Sequence, residues 1–196
     1  VTETTATFRV DTDDRPEGGC PAAVGATTPD GKHRGRDSLT LSRVASIDRD
    51  VTIDRENRLV VDGELVFPIG MFCRRWGPPG YEGMVRRFKE VGMTMMLCYD
   101  PPTPEELDYA YEQGIGVLYS LSSMFAPKKH KLRGQLAPIV KTVEDELEAV
   151  RTQVEAYRDH PALVAWYMYD ERPIEGEWKD RLIRRYEIAR ETDPNH

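Results

Sequence analysis

Two adjacent carboxylates follow the last long apolar segment of the chain, where a buried strand would end. Asp170 and Glu171 come directly after residues 162–169, most of which are apolar. Acidic side chains are costly to bury, so a strand that ends in two of them must be emerging from the protein at that point. A carboxyl group at such a place can donate or accept a proton while a bond is cleaved, and we therefore predict a functional site there.

Aromatic, basic and acidic side chains also end the earlier apolar segments of the same region. Flat aromatic faces stack on sugar rings, and charged groups hydrogen-bond to sugar hydroxyls, so this combination favours a carbohydrate substrate. The candidate substrate-binding residues are Arg74, Arg75, Trp76, Tyr99, Asp100, Tyr119, Tyr169 and Asp170. The competing interpretations are simple packing for the aromatic residues, solvent exposure for the arginines and a turn-forming role for Asp100.

Strand and helix patterns alternate four times after residue 69, and this alternation positions the candidate residues. Strands are predicted at 69–73, 94–99, 116–121 and 162–169, and helices at about 82–91, 103–113, 142–157 and 177–191. Thr103 and Thr142 are of a type that caps helix starts, and Gly92 and Gly114 of the type that ends helices. The strands are nearly continuous apolar runs, which is typical of a parallel sheet covered on both faces.

The predicted fold class is α/β, and two architectures fit the alternation: a doubly wound sheet and a (β/α)8 TIM barrel. The first strand-to-helix turn contains Gly77 and Gly80, but it lacks the glycine spacing that nucleotide-binding sheets use. We therefore expect no cofactor and favour the barrel. A complete barrel takes ~250 residues, so we interpret the four units as its N-terminal half and expect the rest of the barrel from a longer chain.

The first part of the chain has a different composition from the remainder. Residues 1–45 are predicted to be a linker or the end of a preceding domain, largely irregular, because 11–37 are rich in Gly, Pro, Asp and Thr. A short β segment is expected at 5–10. Residues 46–196 form the second predicted domain, and it begins with a hairpin because Asp62-Gly63 separates two apolar runs.

Composition and charge restrict the partners of the 196-residue chain. Its net charge of −7 disfavours a nucleic-acid partner, and no window has the ~18–20 apolar residues of a membrane span. The N-terminus lacks the pattern of a signal peptide, which fits a cytoplasmic protein or a secreted one whose start is missing. The three cysteines contain no Cys-x-x-Cys pair, so no zinc site is expected, and Cys73 and Cys98 are predicted to be buried thiols.

Three segments resemble clan A glycoside hydrolases, a group that includes β-galactosidases, β-glucuronidases and cellulases. The sequence HPALVAWYMYDERP at 160–173 resembles the fourth-strand segment of that clan, and VVDGELVFPIG at 60–70 resembles the approach to the first strand. The ending DPNH at 193–196 resembles the approach to the fifth strand. The resemblance extends from about residue 51 to the end of the chain.

The resemblance implies a retaining double-displacement mechanism on a carbohydrate substrate. Glu171 matches the acid/base of the family, and the family's nucleophile is a glutamate at the end of the seventh strand, beyond these residues. The family usually has asparagine before the acid/base, where its amide holds the sugar 2-hydroxyl. This chain has Asp170 there, and an ionised aspartate accepts hydrogen bonds but cannot donate them.

Two alternatives to a glycosidase remain open at the level of sequence. The first is a non-catalytic carbohydrate-binding barrel, because the change to Asp170 alters the site. The second is a metal-dependent barrel hydrolase that uses Asp100, Asp170 and Glu171 as ligands, although the small number of histidines argues against it.

Overall fold

The computed structural model describes residues 18–27, 33–43, 51–73, 79–125, 127, 134–136, 139–171 and 175–196. The strands are β1 (Gly18–Thr27), β2 (His33–Arg43), β3 (Val51–Ile53), β4 (Leu59–Val61), β5 (Glu64–Val66), β6 (Gly70–Cys73), β7 (Met95–Cys98), β8 (Gly116–Ser120) and β9 (Leu163–Tyr167). The helices are α1 (Gly80–Glu90), α2 (Pro104–Glu112), α3 (Val143–Tyr157) and α4 (Glu177–Thr192), with a short 3-10 helix at Ser122–Met124. The chain divides into two compact units, residues 1–46 and 47–196.

The first unit contains an antiparallel strand pair. β1 and β2 pair from Gly18 opposite Arg43 to Ala26 opposite Gly35. The prediction of a largely irregular segment is therefore wrong for these two ranges. Residues 38–42 alternate polar and apolar types, which is a strand pattern, whereas the surrounding glycines, prolines and aspartates favour irregular structure. The β segment predicted at 5–10 lies outside the described residues.

The second unit begins with a three-stranded antiparallel sheet, β3-β4-β5. Asp62 and Gly63 have φ values of 53° and 79°, and the tight turn between β4 and β5 requires a positive φ at both central residues. The predicted hairpin is confirmed. A cleft of about 250 Å³ lies between residues of this sheet and Thr94, Met95 and Gly116, at the starts of β7 and β8. The small sheet therefore lies at the N-terminal ends of the strands that follow it.

Four parallel strands form the main sheet, in the order β6-β7-β8-β9. Phe72, Leu97, Leu118 and Ala165 occupy one level across it. Each strand is followed by a helix and then by its own neighbour, so the described strands contain none of the order reversal that characterises a doubly wound sheet. This mixed α/β architecture with a parallel sheet confirms the coarse fold prediction.

The helix starts and ends follow the sequence signals. At α2 the Thr103 hydroxyl accepts a hydrogen bond from the backbone N–H of Glu106, and the Glu106 carboxylate accepts one from the N–H of Thr103 at 2.9 Å. Thr142 and Asp145 make the same reciprocal pair at the start of α3. Such pairs satisfy backbone donors that the first helical turn leaves without partners. Both predicted caps are confirmed.

The hydrophobic core lies between the parallel sheet and the helices. Residues of α1, α2 and α3 contact the helix-facing side chains of the strands, and all of them are almost completely buried. This set comprises Val85, Leu107, Ala110, Val150, Val154, Met96, Val117, Tyr119 and Leu163. Burial of an aliphatic side chain contributes about 1.5–3 kcal/mol, so this layer is the main source of stability for the second unit.

A buried group of charges joins α3 to α4. The Glu146 side chain is fully buried and forms ion pairs with Arg181 at 2.5 Å and with Arg185 at 3.3 Å. Arg185 also donates a hydrogen bond to the carbonyl of Leu121 at 2.5 Å, and its guanidinium lies 3.9 Å from the centre of the Phe125 ring. These contacts hold the segment that follows β8 against the two helices. We call Glu146, Arg181 and Arg185 the charge cluster.

Among the described residues, none of the helices combines the length and the apolar composition that a membrane crossing requires.

Glu146→Gln should destabilise the fold strongly. It removes the negative charge that both arginines contact in a buried site, and breaking a buried pair in this way costs about 3–5 kcal/mol in the free energy of unfolding. The measurement is urea unfolding followed by circular dichroism. Glu148→Gln is the matched control, because this residue lies on the same helix but is exposed. Equal unfolding midpoints for the two variants would contradict the importance of the charge cluster.

Candidate active site

The carboxyl ends of the four parallel strands meet at one edge of the sheet, which we call the rim. β6, β7, β8 and β9 end at Cys73, Cys98, Ser120 and Tyr167. In parallel sheets with covering helices, the functional groups gather at this edge. Tyr99 and Asp100 follow β7 directly, and Tyr169, Asp170 and Glu171 lie within four residues after the end of β9. Arg74, Arg75 and Trp76, which the sequence also places there, lie outside the described residues.

Tyr167 and Asp170 form the central hydrogen bond of the rim. The Tyr167 hydroxyl donates to Oδ1 of Asp170 at 2.9 Å. Burial raises the pKa of Tyr167 to about 12, and the bond to Asp170 and the negative charges of Asp170 and Glu171 act in the same direction. The hydroxyl therefore keeps its proton at neutral pH and serves as a donor. Glu171 follows Asp170 directly in the chain.

The backbone turns sharply at Glu171. Its φ is 46°, in the left-handed region that residues other than glycine rarely adopt. Residues held in that region are concentrated at functional sites, where the surrounding structure maintains the strain. The Glu171 side chain is exposed, whereas Asp170 is half-buried. The two neighbouring carboxylates therefore have different surroundings.

Aromatic rings lie beside the carboxylates. The ring centres of Phe72 and Tyr99 are 3.9 Å apart, and those of Phe72 and Tyr167 are 6.0 Å apart. Below them, an apolar cleft of about 240 Å³ opens on this part of the sheet and is lined in part by Phe72, Leu97 and Leu118. The rim therefore combines carboxylates, a hydroxyl donor and flat apolar surface within one small region.

Tyr119 lies in a different place from the one that the sequence predicts. Its side chain is fully buried on the helix side of the sheet, stacked on Tyr157 with ring centres 5.0 Å apart. Nε2 of Gln153 donates to its hydroxyl at 2.5 Å, and that hydroxyl lies 3.4 Å from the carbonyls of Pro102 and Gly134. Neighbouring strand residues face opposite sides of a sheet, so Leu118 faces the cleft while Tyr119 faces the helices. The placement does not support a substrate contact for Tyr119.

Tyr169 and Asp100 lie at the rim in less central positions. The Tyr169 ring makes an edge contact with Phe125, with ring centres 6.0 Å apart, and Phe125 in turn contacts Trp178 of α4 at 5.4 Å. Tyr169 therefore packs towards α4. Asp100 is half-buried and precedes two buried prolines, which fits the turn-forming role considered as its alternative.

Phe72 and Tyr167 were not among the predicted site residues. The sequence predicts a strand that extends to residue 169. On such a strand Tyr167 and Tyr169 would face the same side of the sheet. The structure ends β9 at Tyr167, so the backbone after it no longer alternates. Leu118 and Tyr119 are both apolar although they face opposite sides of the sheet, so the sequence carries no alternation that separates rim residues from core residues on this strand.

The described residues do not support the metal-dependent alternative. Within the part of the chain that the structure describes, no three His, Cys, Asp or Glu side chains converge on a point that could hold a metal ion. That part includes Asp100, Asp170 and Glu171.

We expect Tyr167 to titrate near pH 12, about two units above an ordinary tyrosine. The measurement is the tyrosinate absorbance of the wild type minus that of Tyr167→Phe. The folded protein holds this proton more tightly than the unfolded chain does. The resulting contribution to the free energy of unfolding is therefore fully present below the ordinary tyrosine pKa, and it is lost as the pH rises through the raised pKa of Tyr167. Asp170→Asn should lower the pKa of Tyr167, and an unchanged pKa of Tyr167 in that variant would contradict the contribution of the hydrogen bond.

The sequence matches no protein-family profile and no curated protein. In structure the chain is similar to β-glucuronidase from Parabacteroides merdae, with a TM-score of 0.50 and 12% identity, covering 90% of this chain and 22% of that one. It is also similar to a glycoside hydrolase family 5 protein from Bacteroides vulgatus, with a TM-score of 0.55 and 10% identity, covering 75% and 38%. The exo-chitosanase CsxA from Amycolatopsis orientalis aligns at a TM-score of 0.45 and 13% identity, covering 88% and 21%.

The chain thus spans 22% and 38% of the two proteins that it matches at TM-scores of 0.50 and 0.55. At 12% and 10% identity this similarity concerns the fold. The fold of the described chain is therefore one that glycoside hydrolases contain as part of their structure.

Proposed function

We propose that this chain is the N-terminal half of a (β/α)8 glycoside hydrolase and that the rim is part of its active site. The observation that carries the proposal is the group formed by Tyr167, Asp170 and Glu171 at the carboxyl end of a parallel strand. The similarity of the fold to parts of glycoside hydrolases supports it. So does the resemblance of residues 160–173 to the fourth strand of clan A.

The half-barrel interpretation rests on the sheet itself. Among the described strands, β6 and β9 each have one neighbour, and the sheet order is sequential. The cleft of about 240 Å³ is apolar, and Phe72 at its wall is 39% exposed. Exposed apolar surface beside two open strand edges is unfavourable in water. Four further strand–helix units from a longer chain would pair both edges and cover the cleft.

In the proposed reaction Glu171 is the acid/base of a retaining double displacement. Its carboxylic acid gives a proton to the leaving glycosidic oxygen while a second carboxylate attacks the anomeric carbon and forms a glycosyl ester. Glu171 then removes a proton from water, which attacks the same carbon and releases the sugar. The second carboxylate is the glutamate expected at the end of the seventh strand, outside these 196 residues. Exposure of the Glu171 side chain suits a group that must reach a leaving group.

Asp170 has a binding role in this proposal. One of its oxygens accepts a hydrogen bond from the Tyr167 hydroxyl at 2.9 Å. This bond fixes the orientation of the carboxylate. Its second oxygen is a hydrogen-bond acceptor and can receive a hydrogen bond from a sugar hydroxyl. The aromatic pair Phe72 and Tyr99 at the ends of β6 and β7 offers the flat surface for the sugar ring. Together these residues recognise a carbohydrate by one hydroxyl and one face.

Glu171→Gln in the protein that carries the whole barrel should lower kcat/KM by about 10²–10⁴-fold for glycosides with poor leaving groups, because proton donation is lost. The loss should be much smaller for dinitrophenyl glycosides, whose leaving group needs no proton. The measurement is the hydrolysis of a panel of aryl glycosides that differ in leaving-group pKa.

Glu175→Gln is the matched control for this panel, because Glu175 is an exposed glutamate four positions further along the chain. It should retain wild-type rates on every substrate. Full activity of Glu171→Gln, or a loss that is equal for all leaving groups, would show that Glu171 is not the acid.

Replacement of Tyr119 and of Tyr167 by phenylalanine should have different effects. Tyr119→Phe should lower the free energy of unfolding by about 1 kcal/mol, because a buried hydrogen bond is removed, and should leave kcat/KM unchanged. Tyr167→Phe should lower kcat/KM, because Asp170 loses the donor that orients it. Urea unfolding and steady-state kinetics on both variants give the comparison, and the reverse pattern would contradict the assignment of the rim.

A further inference from the structure

Two cysteines face each other on neighbouring strands directly below the rim. Cys73 is the last residue of β6 and Cys98 the last of β7, and the parallel register places them opposite each other. Their sulfur atoms are 3.0 Å apart, and Sγ of Cys73 is 3.3 Å from the carbonyl of Leu97. Both are thiols, as the sequence predicts, with Cys98 buried and Cys73 half-buried.

The positions of the two residues are compatible with a disulfide. A disulfide needs Cα atoms about 4.4–6.8 Å apart, and neighbouring strands lie about 4.7–4.9 Å apart. Residues at one level of adjacent strands therefore meet this requirement without a change in the sheet. The sulfur atoms must approach by about 1 Å to reach the bond length of ~2.05 Å, and side-chain rotation can supply such a movement.

The difference in exposure gives the two thiols different roles. Cys98 is 2% exposed and is closed off from a solution oxidant, whereas Cys73 is half-buried. A small oxidant must therefore meet Cys73 first. Cys98 then lies in contact with the modified sulfur and can complete the exchange.

We propose that Cys73 and Cys98 form a reversible dithiol–disulfide pair that a low-molecular-weight disulfide oxidises. The Cys73 thiolate attacks one sulfur of oxidised glutathione, whose sulfur–sulfur bond breaks and releases one glutathione. The Cys98 thiolate then attacks Sγ of Cys73 in the mixed disulfide and displaces the second glutathione. Two protein thiols are oxidised, the oxidant is reduced to two thiols, and the two protein protons pass to the departing glutathione thiolates.

The bridge would act on the part of the rim that carries Tyr99. The backbone N–H of Tyr99 donates to the carbonyl of Cys73 at 3.3 Å, and Tyr99 follows Cys98 directly. A covalent link one residue below would hold the ends of β6 and β7 together, including the contact between Phe72 and Tyr99. The pair does not depend on the proposed hydrolase activity, because the bond forms on the folded protein without any substrate.

The experiment is peptide mapping of the purified protein after incubation with oxidised glutathione. The protein is alkylated under denaturing conditions without reductant, digested and analysed by mass spectrometry. The expected product is a cross-linked peptide pair that contains Cys73 and Cys98, is two hydrogen atoms lighter than the two thiol peptides together, and separates on addition of dithiothreitol. Cys20→Ser, which removes the third cysteine of the sequence, should give the same product.

Cys98→Ser should stop the exchange at the first step, with one glutathione retained on Cys73. In the wild type, a persistent glutathione adduct on Cys73, alkylation of both cysteines, or a cross-link from either of them to Cys20 would overturn the proposal. Since the wild-type map alone decides between these outcomes, the result stands even if Cys98→Ser fails to fold.

Discussion

The parallel pairing of β9 with β8 is the constraint on which the rim depends. The register shifts after the pair Val117–Leu163, so that Tyr119 lies opposite Trp166 and Ser120 lies opposite Tyr167. A shift of one residue moves every following side chain to the other face of a sheet. Tyr119 and Trp166 therefore meet on the helix side, with ring centres 5.4 Å apart, and Tyr167 is left to face the rim. Without this irregularity the hydroxyl that orients Asp170 would point into the core.

Two sets of polar contacts hold β9 and its surroundings in that register. Nε1 of Trp166 donates to Oδ2 of Asp193 at 2.7 Å, and Nδ1 of His196 lies 2.8 Å from the same oxygen. Asp193 follows α4 directly, so the end of this helix is joined to β9 near the carboxyl end of the strand. On the other side, the charge cluster joins α3 and α4 to the carbonyl of Leu121, just after β8. The backbone around the candidate site is thus supported from the helix layer.

Local signals in the sequence predicted most of the second unit, because its elements obey local rules. Thr103 and Thr142 cap helices through contacts with residues three positions away, and Asp62-Gly63 makes a turn from its own backbone preferences. The faces of the strands were less predictable. The side to which Tyr119 points depends on the helices that pack against β8, and the side to which Tyr167 points depends on the irregularity in the register of β9. A strand that is apolar on both faces shows no alternation from which to infer either. The β1–β2 pair is a different case, because residues 38–42 do alternate but lie among glycines, prolines and aspartates that favour irregular structure.

The left-handed backbone at Glu171 has a consequence for how this protein would respond to selection. A side chain in that region costs roughly 1–2 kcal/mol that glycine does not incur, so at φ 46° the glutamate weakens the fold relative to the simplest alternative. A library screened for heat resistance alone would drift towards glycine at this position, whereas the proposed acid/base role predicts that one screened for turnover would retain the carboxylate. Under that proposal the same residue would be a liability in one screen and a requirement in the other.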